Sequence, residues 1–224
     1  MKRRQCLGNL GVALSWPHPL LAAGLTEADA ASGIRAALER GALSAVSLLG
    51  RADGFLANPK VRIPLPAYLE DASKLLRSIG QGKRVDELVT SMNRAAERAV
   101  PEAKPLLVQA AKSISVEDAL RIVRGGDTSV TEYFAGKTRA PLGERFLPIV
   151  TRATERVALA DKYNAVAERA SRFGLIKPED ANLQQHVTSK ALDGLYLMVG
   201  EEERKIRRDP AATGSAILRK VFGR

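Results

Sequence analysis

Carboxylates are the chemistry this chain offers in quantity: Glu97, Asp118, Glu132, Asp193, Glu201, Glu202 and Glu203 stand on or beside helical patterns. Two of them in unlike surroundings could divide general-acid and general-base roles, as a glycan hydrolase requires. Spacing alone brings no two of them to one cleft. Nucleophilic triads need a base, and His186 is the only histidine beyond the N-terminal segment that holds His18. A zinc set would need a second His or a Cys beside His186. Next to Val187 at a helix start, His186 reads as a packing or helix-end residue. There is no G-x-x-x-x-G-K-[ST] phosphate loop. Gly125-Gly126-Asp127-Thr128 could offer free N–H groups to an anion, but a turn accounts for it fully. No catalytic set, metal site or cofactor is expected.

Two polar pairs have helical i, i+4 spacing. Asn93 and Glu97 share a segment otherwise suited to packing through Ala95, Ala96 and Ala99. A polar pair among small residues suits the satisfaction of a nearby loop backbone, with Ile63 to Pro66 the expected target. Glu203 and Arg207 form the other pair, worth a few tenths of a kcal/mol on a solvated helix face. Asn93, Glu97, Asp193, Glu203 and Arg207 are the ligand-binding candidates.

The elements that must position these residues follow from composition and periodicity. Aromatics are 4% of the chain and hydrophobic residues 45%, so Ala, Leu and Val must form a core of closely packed helices. Thr26 to Asp29 resembles a capping box opening a helix to Gly50. Residues 51 to 66 read as a loop, extended over Ile63-Pro64-Leu65-Pro66 because each proline disfavours helix before it. Ala67 to Ile79 reads as a helix with Leu69, Leu75, Leu76 and Ile79 inward, ended by Gly80 and Gly82. Val85 to Val100 follows, then an apolar segment over Leu106 to Ile114. Ser115 to Asp118 is a capping-box-like start for a short helix to Gly125.

Asp127 or Thr128 caps a helix through Phe134, and Arg139 opens a long one to about Arg172, with Pro148 in its first turns. Pro178-Glu179-Asp180 starts the helix carrying Val187, Ala191, Leu195 and Met198. The charge run after Gly200 then reads as a solvated joint. Asp209-Pro210 is an N-cap followed by Pro at the first helical position. Ile217, Leu218, Val221 and Phe222 form an apolar stripe expected to dock on the core. No segment alternates long enough for a sheet. The expected fold is all-α, a single domain of about eight or nine helices.

The N-terminal 24 residues read differently. Met1-Lys2-Arg3-Arg4 is a basic region, followed by a weakly apolar stretch and small residues at Ala22 and Gly24. That is the pattern of a cleavable export signal, with the mature domain spanning residues 25 to 224. Arg3-Arg4 also fits a twin-arginine signal, while ordinary signals carry such pairs too. Cys6, the one cysteine, leaves with the leader, which excludes disulfide and thiolate chemistry. Losing Lys2, Arg3 and Arg4 lowers the formal charge from +10 to +7. The cations are interleaved with acids, so no specific nucleic-acid binding is expected. Anionic lipid or cell-wall surfaces remain compatible partners.

In order along the chain stand Asp53-Gly-Phe55, Ile63-Pro-Leu-Pro66, Met92 to Glu97, Glu117-Asp-Ala119, Thr131 to Phe134, Lys190 to Leu195, Glu202 to Arg207 and Lys220 to Gly223. Together they resemble the bacterial family called domain of unknown function 4197. The resemblance covers nearly all of the mature chain and implies an exported, helical protein. It brings no activity or catalytic residue, and His186 stands where the resemblance implies an aromatic such as Tyr. The expected function is a non-catalytic binding or structural protein of the periplasm or cell envelope, acting on an envelope ligand or protein. The alternatives are a carboxylate-dependent envelope hydrolase and a peripheral binder of anionic surfaces.

Overall fold

Two long helices set the frame. In the computed structural model, which describes residues 27–66, 69–155, 157–172, 182–210 and 212, the elements are α1 (Glu27–Leu49), α2 (Glu70–Ser78), α3 (Gly82–Ala99), α4 (Ala103–Lys112), α5 (Val116–Arg124), α6 (Ser129–Thr154), α7 (Ala158–Arg172) and α8 (Leu183–Arg208). A 3-10 turn, Val100–Glu102, links α3 to α4. The described residues contain no strand. The fold is all-α, a single helical domain.

The most extensive contact is α6 on α8, followed by α3 on α6, α1 on α4 and α1 on α8. Small side chains let these backbones approach: Ala42, Ala45, Ala95, Ala96, Ala99, Ala103 and Ala111 are all fully buried. Phe55, Phe134, Phe146, Leu142, Leu183 and Leu195 fill the remaining volume. The alanine-rich, aromatic-poor composition is thus used for close helix packing.

Several boundaries differ from the sequence reading. The expected break before Arg139 is absent, and α6 runs unbroken from Ser129 through Pro141 and Pro148. Each proline removes one i to i−4 bond, and the surrounding buried face of Phe134, Thr138, Leu142, Phe146 and Val150 outweighs that loss. α6 instead ends at Thr154 and α7 begins at Ala158, with neither Gly nor Pro between them in the sequence, so the long expected helix is two. α8 begins at Leu183, not at 178–180: Asn182 is extended, and its side chain accepts from the Gln185 N–H as an N-cap. It then continues through Gly200 to Arg208. The charge run is therefore helical, and Glu203 stays on the inward face of α8 instead of in solvent. α3 starts at Gly82, before the expected Val85.

The α2 reading needs a further correction. Leu75 and Ile79 point outward, at 64% and 62% exposure. α2 packs chiefly on α3, so it can bury only one narrow arc, which Leu69 and Leu76 occupy. By contrast, Ser115 and Asp118 form the expected reciprocal capping box on α5. Asp209 Oδ1 accepts from the Ala212 N–H at 3.0 Å, and the helix expected after it lies outside the described residues. The Thr26 cap, the 1–24 leader, Pro178 to Asp180 and the Ile217–Phe222 stripe lie outside the described residues.

Candidate functional site

Asn93 and Glu97 face the loop between α1 and α2. Asn93 Oδ1 accepts from the Ile63 N–H at 2.8 Å, and Nδ2 donates to Ile63 O at 2.9 Å and Val89 O at 2.8 Å. One amide thereby mimics a strand partner for the extended Ile63. Glu97 Oε1 accepts from the N–H groups of Phe55 at 3.0 Å and Leu56 at 3.1 Å. Its other oxygen pairs with Arg94 at 2.7 Å, and Arg94 also reaches Asp53 at 2.8 Å. Asp53 has φ 65°, a left-handed conformation that Asp tolerates better than most residues. On the opposite side, Gly194 of α8 lies against the same loop. A Cβ there would stand 2.8 Å from Phe55 Cε1 and 3.2 Å from Val61 Cβ. The loop is a strap held between α3 and α8, with Phe55 as its buried plug.

Glu203 and Arg207 form a second node. Glu203 is 3% exposed. Its Oε1 accepts from Arg207 Nη2 at 2.8 Å and Nε at 3.0 Å, and more weakly from Ser129 Oγ at 3.3 Å and the Val130 N–H at 3.4 Å. Arg207 also donates to Ile122 O at 2.8 Å and Ser129 Oγ at 2.9 Å. The pair thus ties α8 to the end of α5 and the start of α6. Burial pushes the Glu203 carboxyl above the usual carboxylate range, against the lowering effect of Arg207. Glu203 Oε2 accepts no hydrogen bond from the described residues. The void beside it, walled by Ile34, Leu38, Val130 and Ile206, is ≈ 10 Å³, space for one water and far below the size of a substrate site.

The remaining candidate, Asp193, borders the strap with Val61, Arg62, Ile63 and Gly194 around a space of ≈ 150 Å³. Asp193 is exposed and paired with Arg139 at 2.6 Å and Lys190 at 3.6 Å. Asp118 is held below its ordinary range first by the Ser115 hydroxyl, and it pairs with Arg121 at 2.7 Å. Lys60 and Arg204 both bridge to Glu201, holding its carboxyl low. His186 is buried in the first turn of α8, its ring 6.4 Å from that of Tyr163. Among the described residues, no group of three or more His, Cys, Asp or Glu is placed to hold a metal ion.

Concave space occurs elsewhere. An apolar cavity of ≈ 110 Å³ lies beneath α2, lined by Leu65, Leu69, Leu76, Val85, Leu88 and Tyr163. An open groove of ≈ 510 Å³ runs between α6 and α8, past Arg139, Gly143, Leu147, Gln185, Thr188 and Leu192. None of the five candidate residues lines either space. The sequence reading turns Leu69 and Leu76 inward; nothing in periodicity distinguishes a filled core position from the wall of a void.

The family described as "Protein of unknown function (DUF4197)" matches residues 24–223. This chain belongs to that family. No curated protein and no solved structure matches it. For this DUF4197 member, the geometry gives five of the stretches that carried the resemblance a structural role. Asp53 to Phe55, Ile63 to Pro66, Met92 to Glu97 and Lys190 to Leu195 supply the strap and its two walls. Glu202 to Arg207 supplies the buried ion pair. No helix of the described residues is long and apolar enough to cross a membrane.

Proposed function

We propose that this DUF4197 protein is an exported, non-catalytic binding protein of the cell envelope. One observation carries the non-catalytic part: Glu97, Asp118, Asp193 and Glu203 are each committed to structure. Glu97 holds two strap amides and Arg94. Asp118 caps α5, Asp193 sits in an exposed ion pair, and Glu203 is sealed beside Arg207. Acid–base catalysis requires two carboxyl groups facing a substrate-sized cleft. Glu97, Asp118 and Glu203 line neither the ≈ 510 Å³ groove between α6 and α8 nor the ≈ 520 Å³ groove along α3. Asp193 borders only a space of ≈ 150 Å³, and Asp86 on the α3 groove is paired with Arg77. The proposal of export rests on the basic, apolar and small-residue pattern of residues 1 to 24.

The test has two arms. Purified protein is assayed on envelope esters, glycans and peptides, with Glu97→Gln, Asp118→Asn, Asp193→Asn and Glu203→Gln as controls. No turnover is expected; turnover abolished by one of these substitutions overturns the non-catalytic reading. Cell fractionation with N-terminal sequencing should find mature protein beginning near Leu25, and retained Met1 overturns export. Replacing Arg3 and Arg4 with Lys should block export if the twin-arginine route is used.

A further inference from the structure

The most exposed large hydrophobic side chains of the described residues are neighbours. Leu75 and Ile79 are 64% and 62% exposed, against 40% for Leu197 and 37% for Leu147. They are spaced i, i+4 at the end of α2, so their side chains lie about 6 Å apart on one side of the helix. Lys74, Arg77, Lys83 and Arg84 flank them in the sequence, and all four are exposed. Between Asp71 and Asp86 the chain has these four cations and no acid. Asp86 offsets part of this charge through its 2.6 Å pair with Arg77, and Glu87 lies one residue beyond. Ser78 and Gly80 are exposed as well, with Gln81 and Gly82 half-buried between them and the cations that open α3.

Exposed apolar side chains flanked in the sequence by exposed cations fit an interface whose surface is anionic and whose interior is hydrocarbon. A second copy of this chain fits poorly. Two side chains are far short of the roughly 800 Å² per partner of a stable interface, and a two-fold contact would set the four cations against their own copies. We propose that the α2–α3 tip docks on an anionic lipid bilayer, placing Leu75 and Ile79 among the acyl chains and the four cations at the headgroups. The proposal rests on the non-catalytic binding reading and names its partner. α2 suits the task because it is fixed chiefly to α3. Docking the tip therefore leaves the α1–α6–α8 core undisturbed.

The test uses the full chain and two vesicle types, phosphatidylcholine alone and phosphatidylcholine mixed with phosphatidylglycerol. Co-sedimentation is expected with the anionic vesicles, weakening as salt is raised. The double variant Leu75→Ser, Ile79→Ser should lose at least about tenfold in vesicle affinity with an unchanged thermal midpoint, because neither residue is part of the core. A second readout is Ile79→Trp in a chain whose single tryptophan, Trp16, is replaced by Phe: its emission should shift to the blue on anionic vesicles and be quenched by brominated acyl chains. Absent binding, equal binding to both vesicle types, or wild-type affinity in the double Ser variant overturns the proposal. So does a concentration-dependent dimer that the double Ser variant abolishes, which would assign the face to a second copy. Failure on vesicles leaves the non-catalytic reading standing, whereas carboxylate-dependent turnover removes that reading without touching vesicle binding.

Discussion

Glu97 illustrates how a residue with catalytic credentials is used as a bracket. One carboxylate oxygen replaces water for two backbone N–H groups that the strap cannot pair internally. Glu97→Ala leaves both amides without an acceptor, at about 1–3 kcal/mol for each buried donor. Glu97→Gln keeps a carbonyl oxygen for them and loses the charge facing Arg94, so it should cost less. Urea unfolding of both variants checks the order, and equal costs would contradict the bracket. Glu203 makes a different prediction. Its carboxyl is raised above the ordinary range by burial. Such a group favours the fold fully below its unfolded value, about 4.3, and that contribution is lost as pH rises through the folded value. The stability of wild type relative to Glu203→Gln should therefore be flat below about pH 4.3 and decline above it. A difference that grows with pH would mean that Arg207, and not burial, controls the group. Glu203→Ala should cost about 3–5 kcal/mol, because Arg207 is left buried beside an emptied position.

At the scale of elements, local chemistry was easier to read than continuity. The Ser115 cap, the extended Ile63–Pro66 and the Asn93 bond to Ile63 follow from side-chain spacing, and each is present. Ser115→Ala should cost about 0.5–2 kcal/mol, with α5 amides losing hydrogen-exchange protection before those of α6; protection lost uniformly would deny α5 any local stability of its own. The α6–α7 division was not legible. Pro141 and Pro148 are breakers by local rule, yet α6 spans both because its inward stripe packs along the length of α8. α6 ends at Thr154 and α7 begins at Ala158 with no Gly or Pro between them in the sequence. Leu75 and Ile79 failed for a related reason. Periodicity counts apolar positions, but a helix with one main partner has one arc to bury. The two leftover positions are the ones from which the docking proposal is built.

For the whole molecule, the candidate site was legible as a set of polar residues and not as an arrangement. Sequence paired Asn93 with Glu97 and Glu203 with Arg207. It could not place the pairs at separate joints, nor assign Gly194 to the back of the strap. That arrangement has a consequence for cooperativity. α3 grips the strap through hydrogen bonds, and α8 grips it through contact of Gly194 with Phe55 and Val61. Gly194→Ala would drive a methyl into the Phe55 ring at 2.8 Å, an overpacking cost of about 1–3 kcal/mol. The ring can relieve that clash only by moving the strap, which Glu97 resists. Combining Gly194→Ala with Glu97→Gln should therefore cost less than the sum of the two, with a coupling of about 0.5–3 kcal/mol. Chemical denaturation of the four proteins in this cycle measures it. Strict additivity, within about 0.5 kcal/mol, would mean that the two walls act on the strap independently and that α3 and α8 are not joined through it.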